Sequence, residues 1–278
     1  MRIPNRNLRR TDTEDLIVND MYALSADELL LACGDAGLRV VSLHTAQLAT
    51  HESSAIRDTV LRVAFDAHTD TLLLLLLSAP TGGYYLYQLV SLRRNANEWR
   101  EVQRLGTRIR HLSAIVNFAV CDSRVLLVEW GGRTMYVFDV SAERTLRDAG
   151  NVSYSRRFYA VACTRRDGVT LVAFSHFISV SLLRLTSLPL RLVPLASVNL
   201  TDPHRLLFRG DLLLVTDWNR ATNTSAIVSF RASDNALTER RVLLDAQAGV
   251  GMRAWALAGD RLVLSSRYSE ELLVYAFT

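Results

Sequence analysis

Residues 28–43 have the sequence ELLLACGDAGLRVVSL, in which an apolar segment, a short turn of Asp35, Ala36 and Gly37, and a second apolar segment follow one another. Neither segment shows the apolar periodicity of an amphipathic helix, and a small turn containing glycine between two apolar runs is typical of a β-hairpin. The stretch therefore predicts two antiparallel strands joined by a tight turn.

The same hairpin pattern recurs along the chain. The other copies are Leu/Val-rich segments at Leu72–Leu89, Val125–Val140, Val169–Leu185, Asp211–Phe230 and Asp260–Phe277. A shorter apolar strand precedes each hairpin, starting near Met21, Arg62, Asn117, Phe158, Arg205 and Arg253, and a more polar strand follows it. Four strands repeated at a spacing of about 40 to 55 residues are the pattern of a β-propeller blade.

The fold class that this pattern predicts is an all-β protein, a β-propeller of six four-stranded blades. The sixth repeat contains only three strands, whereas the segment Arg2–Thr11 belongs to no blade. We expect residues 1–11 to complete the last blade, so that the ring is closed by the N-terminal segment and residues 1–278 form a single domain. A β-sandwich or an open array is the competing architecture.

Composition excludes several kinds of chemistry. Of the 278 residues 49% are apolar, which is ample for a core, and the net charge of +4 is too mild to indicate nucleic acid or a membrane surface. The chain is lysine-free, since all 32 basic residues are arginine. Schiff-base chemistry and a lysine general base are therefore excluded.

Cysteine usage and the apolar runs suggest where the protein works. Cys33, Cys121 and Cys163 lie in apolar segments and form no CxxC pair, so we expect buried free thiols rather than a zinc site or a disulfide framework. The N-terminal residues lack the hydrophobic core of a signal peptide, and the longest purely apolar run, Leu72–Leu77, is too short to cross a bilayer. We expect a cytoplasmic or nuclear protein with no transmembrane segment.

Two stretches carry a family resemblance. GDAGLRVVSL at residues 34–43 and MYVFDV at residues 135–140 resemble the hairpin and third strand of WD40-like propellers, with Phe138 and Asp139 at the positions of that family's Trp-Asp. Neither Trp-Asp nor the family's Gly-His dipeptide occurs in the chain. The resemblance implies a propeller that binds partners on the face formed by the connections into the inner strands.

An enzymatic alternative comes from six-bladed propeller hydrolases and lactonases, which hold an axial calcium ion with carboxylates and asparagines of the inner strands. Here those strands offer Asp20, Asp66 and Asn117, whereas calcium takes roughly 6 to 8 oxygen ligands. No HxH or HExxH spacing occurs, and we predict that the histidines are turn or surface residues: His44, His51, His68, His111, His176 and His204. We therefore expect no catalytic residues, no metal and no cofactor.

Arginines recur at the start of the inner strands. Arg62, Arg157, Arg205 and Arg253 are predicted at equivalent positions in blades 2, 4, 5 and 6, and Arg110 precedes the inner strand of blade 3. Guanidinium groups clustered on a rigid rim suit bidentate binding of carboxylates or phosphates. The predicted partner-binding residues are Arg62, Arg110, Arg157, Arg205, Arg253, Trp218, Asp20 and Asn117. The alternative is that each arginine pairs with a local acid or is solvated.

The function that these observations favour is a non-enzymatic scaffold, a subunit of a complex, whose arginine-rich face binds an acidic or phosphorylated segment of a partner protein. Nucleic-acid binding is less favoured, because the net charge is low and aromatic residues do not interleave with the basic ones. The alternatives from other classes are the axial-metal hydrolase and an architectural subunit buried in a larger complex.

Overall fold

The computed structural model describes residues 2–4, 17–48, 59–81, 84–95, 98–111, 116–222, 224–245, 252–266 and 271–276. Within these ranges every regular element is a β-strand, and the strands form six antiparallel sheets of four. The prediction of an all-β, six-bladed β-propeller is therefore confirmed. The same residues contain no apolar helix of membrane-spanning length.

The chain forms two compact units, and the first comprises Met1–Ala114, Ala142–Thr145 and Gly251–Thr278. Strands are numbered here in chain order. Blade 1 consists of β2 (Asp20–Ala23), β3 (Glu28–Ala32), β4 (Leu38–Ser42) and β5 (Gln47–Leu48). Blade 2 consists of β6 (Thr59–Asp66), β7 (Thr71–Thr81), β8 (Tyr84–Asn95) and β9 (Glu98–His111). Blade 6 consists of β22 (Met252–Ala258), β23 (Arg261–Ser266), β24 (Glu271–Ala276) and β1 (Arg2–Pro4).

The second unit comprises Ile115–Ser141 and Leu146–Val250. Blade 3 consists of β10 (Val116–Cys121), β11 (Arg124–Glu129), β12 (Thr134–Val140) and β13 (Leu146–Ser153). Blade 4 consists of β14 (Ala160–Arg166), β15 (Val169–Ser175), β16 (Ser179–Ser187) and β17 (Leu190–Asn199). Blade 5 consists of β18 (Pro203–Arg209), β19 (Leu212–Asn219), β20 (Thr224–Ala232) and β21 (Leu237–Asp245).

Burial on both faces explains the continuous apolar runs in the middle strands. In β3, Leu29 and Leu31 pack into a cluster shared with blade 6. Their neighbours Leu30 and Ala32 point to the opposite face of the sheet and pack into a cluster shared with blade 2. Because each face is covered by an adjacent blade, the strand needs no alternating polar residues.

The N-terminal residues supply the outer strand of blade 6. Arg2–Pro4 pair antiparallel with β24, with Ile3 opposite Leu272, and Ile3 is fully buried. This pairing confirms that the N-terminal segment completes the last blade. Residues 5–11 of the predicted segment lie outside the described residues, and the prediction that residues 1–278 form a single domain stays a prediction.

Main-chain hydrogen bonds join each described turn between a second and a third strand to the next blade of the same unit. They are Gly34 N–H to Val60 O (3.0 Å), Val60 N–H to Gly34 O (2.9 Å), Gly131 N–H to Phe158 O (2.6 Å), Phe158 N–H to Gly132 O (2.8 Å) and Leu200 N–H to Ile178 O (2.9 Å). The partner in the next blade is in each case the inner strand or the connection leading into it. Within each unit these turns and connections therefore share one face, called here the connection face.

A disulfide joins Cys121, at the end of β10, to Cys163 in β14. The expectation of three free thiols was therefore wrong for this pair, while Cys33 is a buried thiol outside this disulfide, as predicted. The two cysteines are 42 residues apart in sequence, yet their Cα atoms lie 5.7 Å apart because they occupy inner strands of adjacent blades. A search for closely spaced cysteines misses a pair of this kind.

Candidate functional site

Large apolar side chains are exposed on the connection face of the second unit. Trp130, in the turn between β11 and β12, is 40% exposed. Phe177 and Ile178, in the turn between β15 and β16, are 54% and 58% exposed. Bulky apolar side chains gathered at the surface mark binding sites more often than scattered ones do.

Tyr159 connects these two turns. It lies on the connection into β14, and its ring centroid is 5.0 Å from that of Trp130 in an edge-on contact. The centroid of the same ring is 6.3 Å from that of Phe177. The three rings therefore form one contiguous surface that extends over blades 3 and 4.

Two arginines border this surface. Arg156 and Arg157 are exposed on the connection between β13 and β14. Their guanidinium groups make no hydrogen bond or ion pair with the residues that the structure describes. The carbonyl oxygen of Arg157 accepts a hydrogen bond from Nδ1 of His176 at 2.7 Å, and His176 directly precedes Phe177. The segment that carries both charges is thus fastened beside the exposed aromatic turn.

His176 was expected to be a turn or surface residue, and it lies in the turn between β15 and β16, where it is only 6% exposed. Burial lowers the pKa of its imidazole. The hydrogen bond to Arg157 raises this pKa, and the positive charge of Arg156 lowers it, but burial is the largest effect. A carbonyl oxygen can only accept, so Nδ1 carries the proton and Nε2 accepts from the Ser181 hydroxyl at 3.0 Å. The buried, neutral ring therefore joins the connection at Arg157 to Ser181 in β16.

Blade 5 adds a fourth aromatic residue and another arginine. The guanidinium carbon of Arg220 lies 5.0 Å from the Phe177 ring centroid and 5.6 Å from that of Trp218. Nε of Arg220 donates to the carboxylate of Asp202 at 2.5 Å. We call the residues Trp130, Arg156, Arg157, Tyr159, Phe177, Ile178, Trp218 and Arg220 the connection-face patch.

The predicted arginine rim is only partly regular. Arg62 and Arg205 occupy equivalent positions in their inner strands. Each lies four residues before the last paired residue of the strand, which is Asp66 in β6 and Arg209 in β18. Arg157 instead lies three residues before β14 begins, so its predicted equivalence was wrong. The side chains of Arg110 and Arg253 lie outside the described residues.

Three predicted contact residues are engaged in internal hydrogen bonds. Asp20 is 5% exposed, and its carboxylate accepts the backbone N–H groups of Met21 (2.9 Å) and Val63 (3.1 Å). Asn117 donates its side-chain amide to the carbonyl of Tyr159. The guanidinium group of Arg62 donates to the carbonyls of Leu61 and Asn19. These polar groups hold neighbouring inner strands and connections together.

The carboxylates of the described inner strands form no metal cage. Asp66 accepts hydrogen bonds from the His68 N–H and the Thr69 hydroxyl, and so stabilises the turn after β6. Among the residues that the structure describes, no group of three or more His, Cys, Asp or Glu side chains is placed to hold a metal ion.

Sequence reasoning missed most of the connection-face patch. Arg157 and Trp218 were predicted, whereas Trp130, Phe177, Ile178 and Arg220 were not. A signal was present: Trp130 directly precedes the glycine pair of a turn, and Phe177 and Ile178 occupy turn positions where polar residues are usual. Bulky apolar residues at predicted turns would have indicated this surface.

Comparison with protein families finds no family model that matches the chain, and no curated protein matches it either. Solved structures do match. A chain of the mitotic checkpoint complex aligns with a TM-score of 0.61 at 11% identity, covering 100% of this chain and 95% of its own. A glucose dehydrogenase aligns with a TM-score of 0.65 at 10% identity, covering 96% of this chain and 99% of its own.

A functionally unknown protein from Desulfotomaculum acetoxidans DSM 771 aligns with a TM-score of 0.66 at 14% identity, covering 95% of this chain and 84% of its own. At identities this low the likeness shows the fold alone. Proteins of different function share that fold, since an enzyme and a member of a protein complex both match. Membership of the WD40-like family stays a prediction.

Proposed function

We propose that the protein is a non-enzymatic interaction scaffold, working as a subunit of a complex, and that its connection-face patch binds an acidic or phosphorylated segment of a partner protein. The observation that carries this proposal is that the segment bearing the exposed Arg156 and Arg157 is bonded to the turn that exposes Phe177, from which an aromatic surface continues to Trp130. Exposed arginines alone are common on protein surfaces. Arginine together with exposed aromatic residues is the composition enriched at binding hot spots.

The chemistry of the patch favours an anionic ligand that also carries apolar groups. Arg156 and Arg157 make no ion pair with described residues, so a carboxylate or phosphate displaces only water and counterions when it binds them. Phe177 and Ile178 can bury apolar atoms of the same segment. Charge would provide orientation, and apolar burial would provide much of the affinity.

Rigidity supports the same function. The connection that carries Arg156 and Arg157 is fixed by the His176 hydrogen bond and by the main-chain bonds of Phe158 with Gly131 and Gly132. Phe158 itself is fully buried, with its ring centroid 4.2 Å from that of Phe174. A segment that binds here orders few residues of the scaffold, so little affinity is lost to conformational entropy.

Among the residues predicted from sequence, Arg157 and Trp218 belong to the proposed surface. Arg62, Asp20 and Asn117 are assigned to internal contacts instead. Arg205 remains a candidate for an extension of the surface within the second unit, and the roles predicted for Arg110 and Arg253 stay predictions.

The test is affinity capture from the source cell with wild-type protein and the double variant Arg156→Glu/Arg157→Glu. The control is Arg147→Glu/Arg191→Glu, which reverses two exposed arginines on the outer strands β13 and β17. All three proteins are first checked for equal melting temperature. The proposal predicts partners that are captured by wild type and control but lost from the double variant. Equal capture by all three would overturn it.

A further inference from the structure

We propose that Arg220 is the phosphate-recognising residue of the connection-face patch, and that the segment it selects carries a phosphorylated side chain next to an apolar one. This inference rests on the proposed function, because it specifies the ligand chemistry of the same surface. It goes further in assigning a residue and in preferring a phosphate monoester to a carboxylate.

Arg220 is held in place before any ligand arrives. Its guanidinium group packs over the rings of Phe177 and Trp218, and its Nε donates to Asp202. Asp202 is itself fixed, since its N–H donates to the Asp217 carboxylate at 2.8 Å and its carbonyl accepts the N–H of Trp218 at 3.1 Å. The Asp202 side chain is only 7% exposed, so the carboxylate is shielded by the residues around it.

The two terminal nitrogens of Arg220 make no hydrogen bond with the described residues, and 55% of the side chain is exposed. A guanidinium group whose Nε is engaged still presents Nη1 and Nη2 to a ligand. These nitrogens can donate to two oxygens of one phosphate. The aromatic rings beneath limit the rotamers of the side chain, which reduces the entropy lost on binding.

A phosphate offers the arginines of the patch more acceptor oxygens and more negative charge than a carboxylate does, while Asp202 already offsets part of the charge of Arg220. A phosphorylated side chain carries about −1.5 to −2 charges and three acceptor oxygens at neutral pH, more than one arginine can neutralise. Arg220 packs on the ring of Phe177, while the residue before Phe177 holds the carbonyl of Arg157. Arginines thus border the Phe177 turn from blade 4 and from blade 5.

The apolar surroundings indicate a peptide as the carrier of the phosphate. Phe177 and Ile178 are more than half exposed beside the guanidinium group, and Trp130 continues this surface through Tyr159. A side chain next to the phosphorylated residue would be buried there. Inorganic phosphate offers no apolar group to these rings.

The experiment uses degenerate peptide libraries with a central phosphoserine, phosphothreonine or phosphotyrosine, the unphosphorylated residue, or Asp or Glu. The best phosphopeptide and its Asp counterpart are then titrated against wild type, Arg220→Lys, Asp202→Asn and Arg231→Lys. Arg231 is the matched control, an arginine of blade 5 that is similarly exposed and is paired with Asp211 and Glu239. Vesicles containing phosphoinositides form a separate arm, and melting temperatures verify folding.

We expect the phosphopeptide to bind wild type at least about tenfold more tightly than the Asp peptide. Arg220→Lys should abolish most of that preference although it retains the charge, since lysine lacks the forked donors. Asp202→Asn should weaken phosphopeptide binding less, and Arg231→Lys should leave it within about twofold of wild type.

Several results would overturn the inference. If phosphorylated and Asp peptides bind equally, the phosphate preference fails while the proposed function stands. If Arg220→Lys keeps the preference, the assignment of Arg220 fails. If only the vesicles bind, the carrier is a lipid rather than a peptide. If neither phosphorylated nor acidic peptides bind, the inference fails together with the proposed function.

Discussion

The Nδ1–H group of His176 donates to the carbonyl oxygen of Arg157 across 2.7 Å, and this bond joins the turn between β15 and β16 to the connection into the same blade. Burial disfavours the charged ring, so the pKa of the His176 imidazole lies below its ordinary value of 6.5. The position of the segment that carries two exposed arginines therefore depends on the hydrogen bond from this histidine.

Because of His176, the free energy of unfolding should be lower in mild acid than at neutral pH. Because the folded-state pKa lies below 6.5, the unfolded chain takes up a proton that the folded chain resists. The free energy of unfolding should decrease as pH falls from about 7 through the ordinary histidine range, and this contribution should level off below the folded-state pKa. His176→Asn, which can retain a donor to Arg157, should lose this component. Urea unfolding at a series of pH values measures it, and identical pH profiles for the two proteins would contradict the assignment.

Reduction of the bond between Cys121 and Cys163 should destabilise the second unit. The bond closes a loop between residues 42 apart, for which the loss of loop-closure entropy predicts about 4 kcal/mol or less. Cys121→Ser/Cys163→Ser should lower the free energy of unfolding accordingly, and a reducing agent should affect wild type but not this variant.

Thiol titration gives a direct check on the pairing. Denatured, unreduced protein should react with one equivalent of a thiol reagent through Cys33, whereas reduced protein should react with three. Three equivalents without reduction would show that the bond is absent from the isolated protein.

The N-terminal strand should contribute to the stability of blade 6. Ile3 is fully buried, so Ile3→Ala should cost about 2–5 kcal/mol in the free energy of unfolding. Arg2→Ala, one residue away, removes an exposed ion pair with Glu271 and should cost about 1 kcal/mol or less. Denaturant unfolding of both variants distinguishes strand packing from a general effect of changing the terminus, and equal costs would argue against the pairing.

Asp20 should be a structural residue rather than a partner contact. Asp20→Ala leaves the N–H groups of Met21 and Val63 without their acceptor, at about 1–3 kcal/mol for each buried amide. Asp27→Ala, which removes an exposed partner of Arg261, should cost about 1 kcal/mol or less. Partner capture should be unchanged by Asp20→Ala below its melting temperature. A loss of capture from a fully folded variant would return Asp20 to the binding surface.

The architecture was predictable because burial on both faces leaves a strong mark on single strands. ELLLA in blade 1 and LLLLLL in blade 2 have no polar face, and their repetition revealed all six blades. The sixth repeat contains only three strands, and this count predicted that the N-terminal segment would supply the fourth strand of blade 6, as Arg2–Pro4 do. These features depend on the pattern of apolar residues within each strand and on the length of the repeat, and both can be read from the sequence.

The candidate site was less predictable because it depends on contacts between blades. Cys121 and Cys163 come together only when two inner strands lie side by side, and Arg220 meets Phe177 only when two turns are adjacent. The prediction that Arg157 is equivalent to Arg62 and Arg205 failed for a related reason. Counting residues along the sequence shows neither where an inner strand starts nor that β6 and β18 contain bulges. Disulfides are typical of oxidising compartments, and the cytoplasmic or nuclear localisation expected from the sequence stays a prediction.

Main-chain bonds at Gly131, Gly132, Phe158, Ile178 and Leu200 tie the turns of blades 3 and 4 to the following blade. The side chains of Trp130, Phe177 and Ile178 take no part in them. Substitutions at these tips can therefore change what the surface recognises while the framework keeps its shape. Such an arrangement separates recognition from folding, and a single scaffold of this kind can be re-targeted, by evolution or by design, one turn at a time.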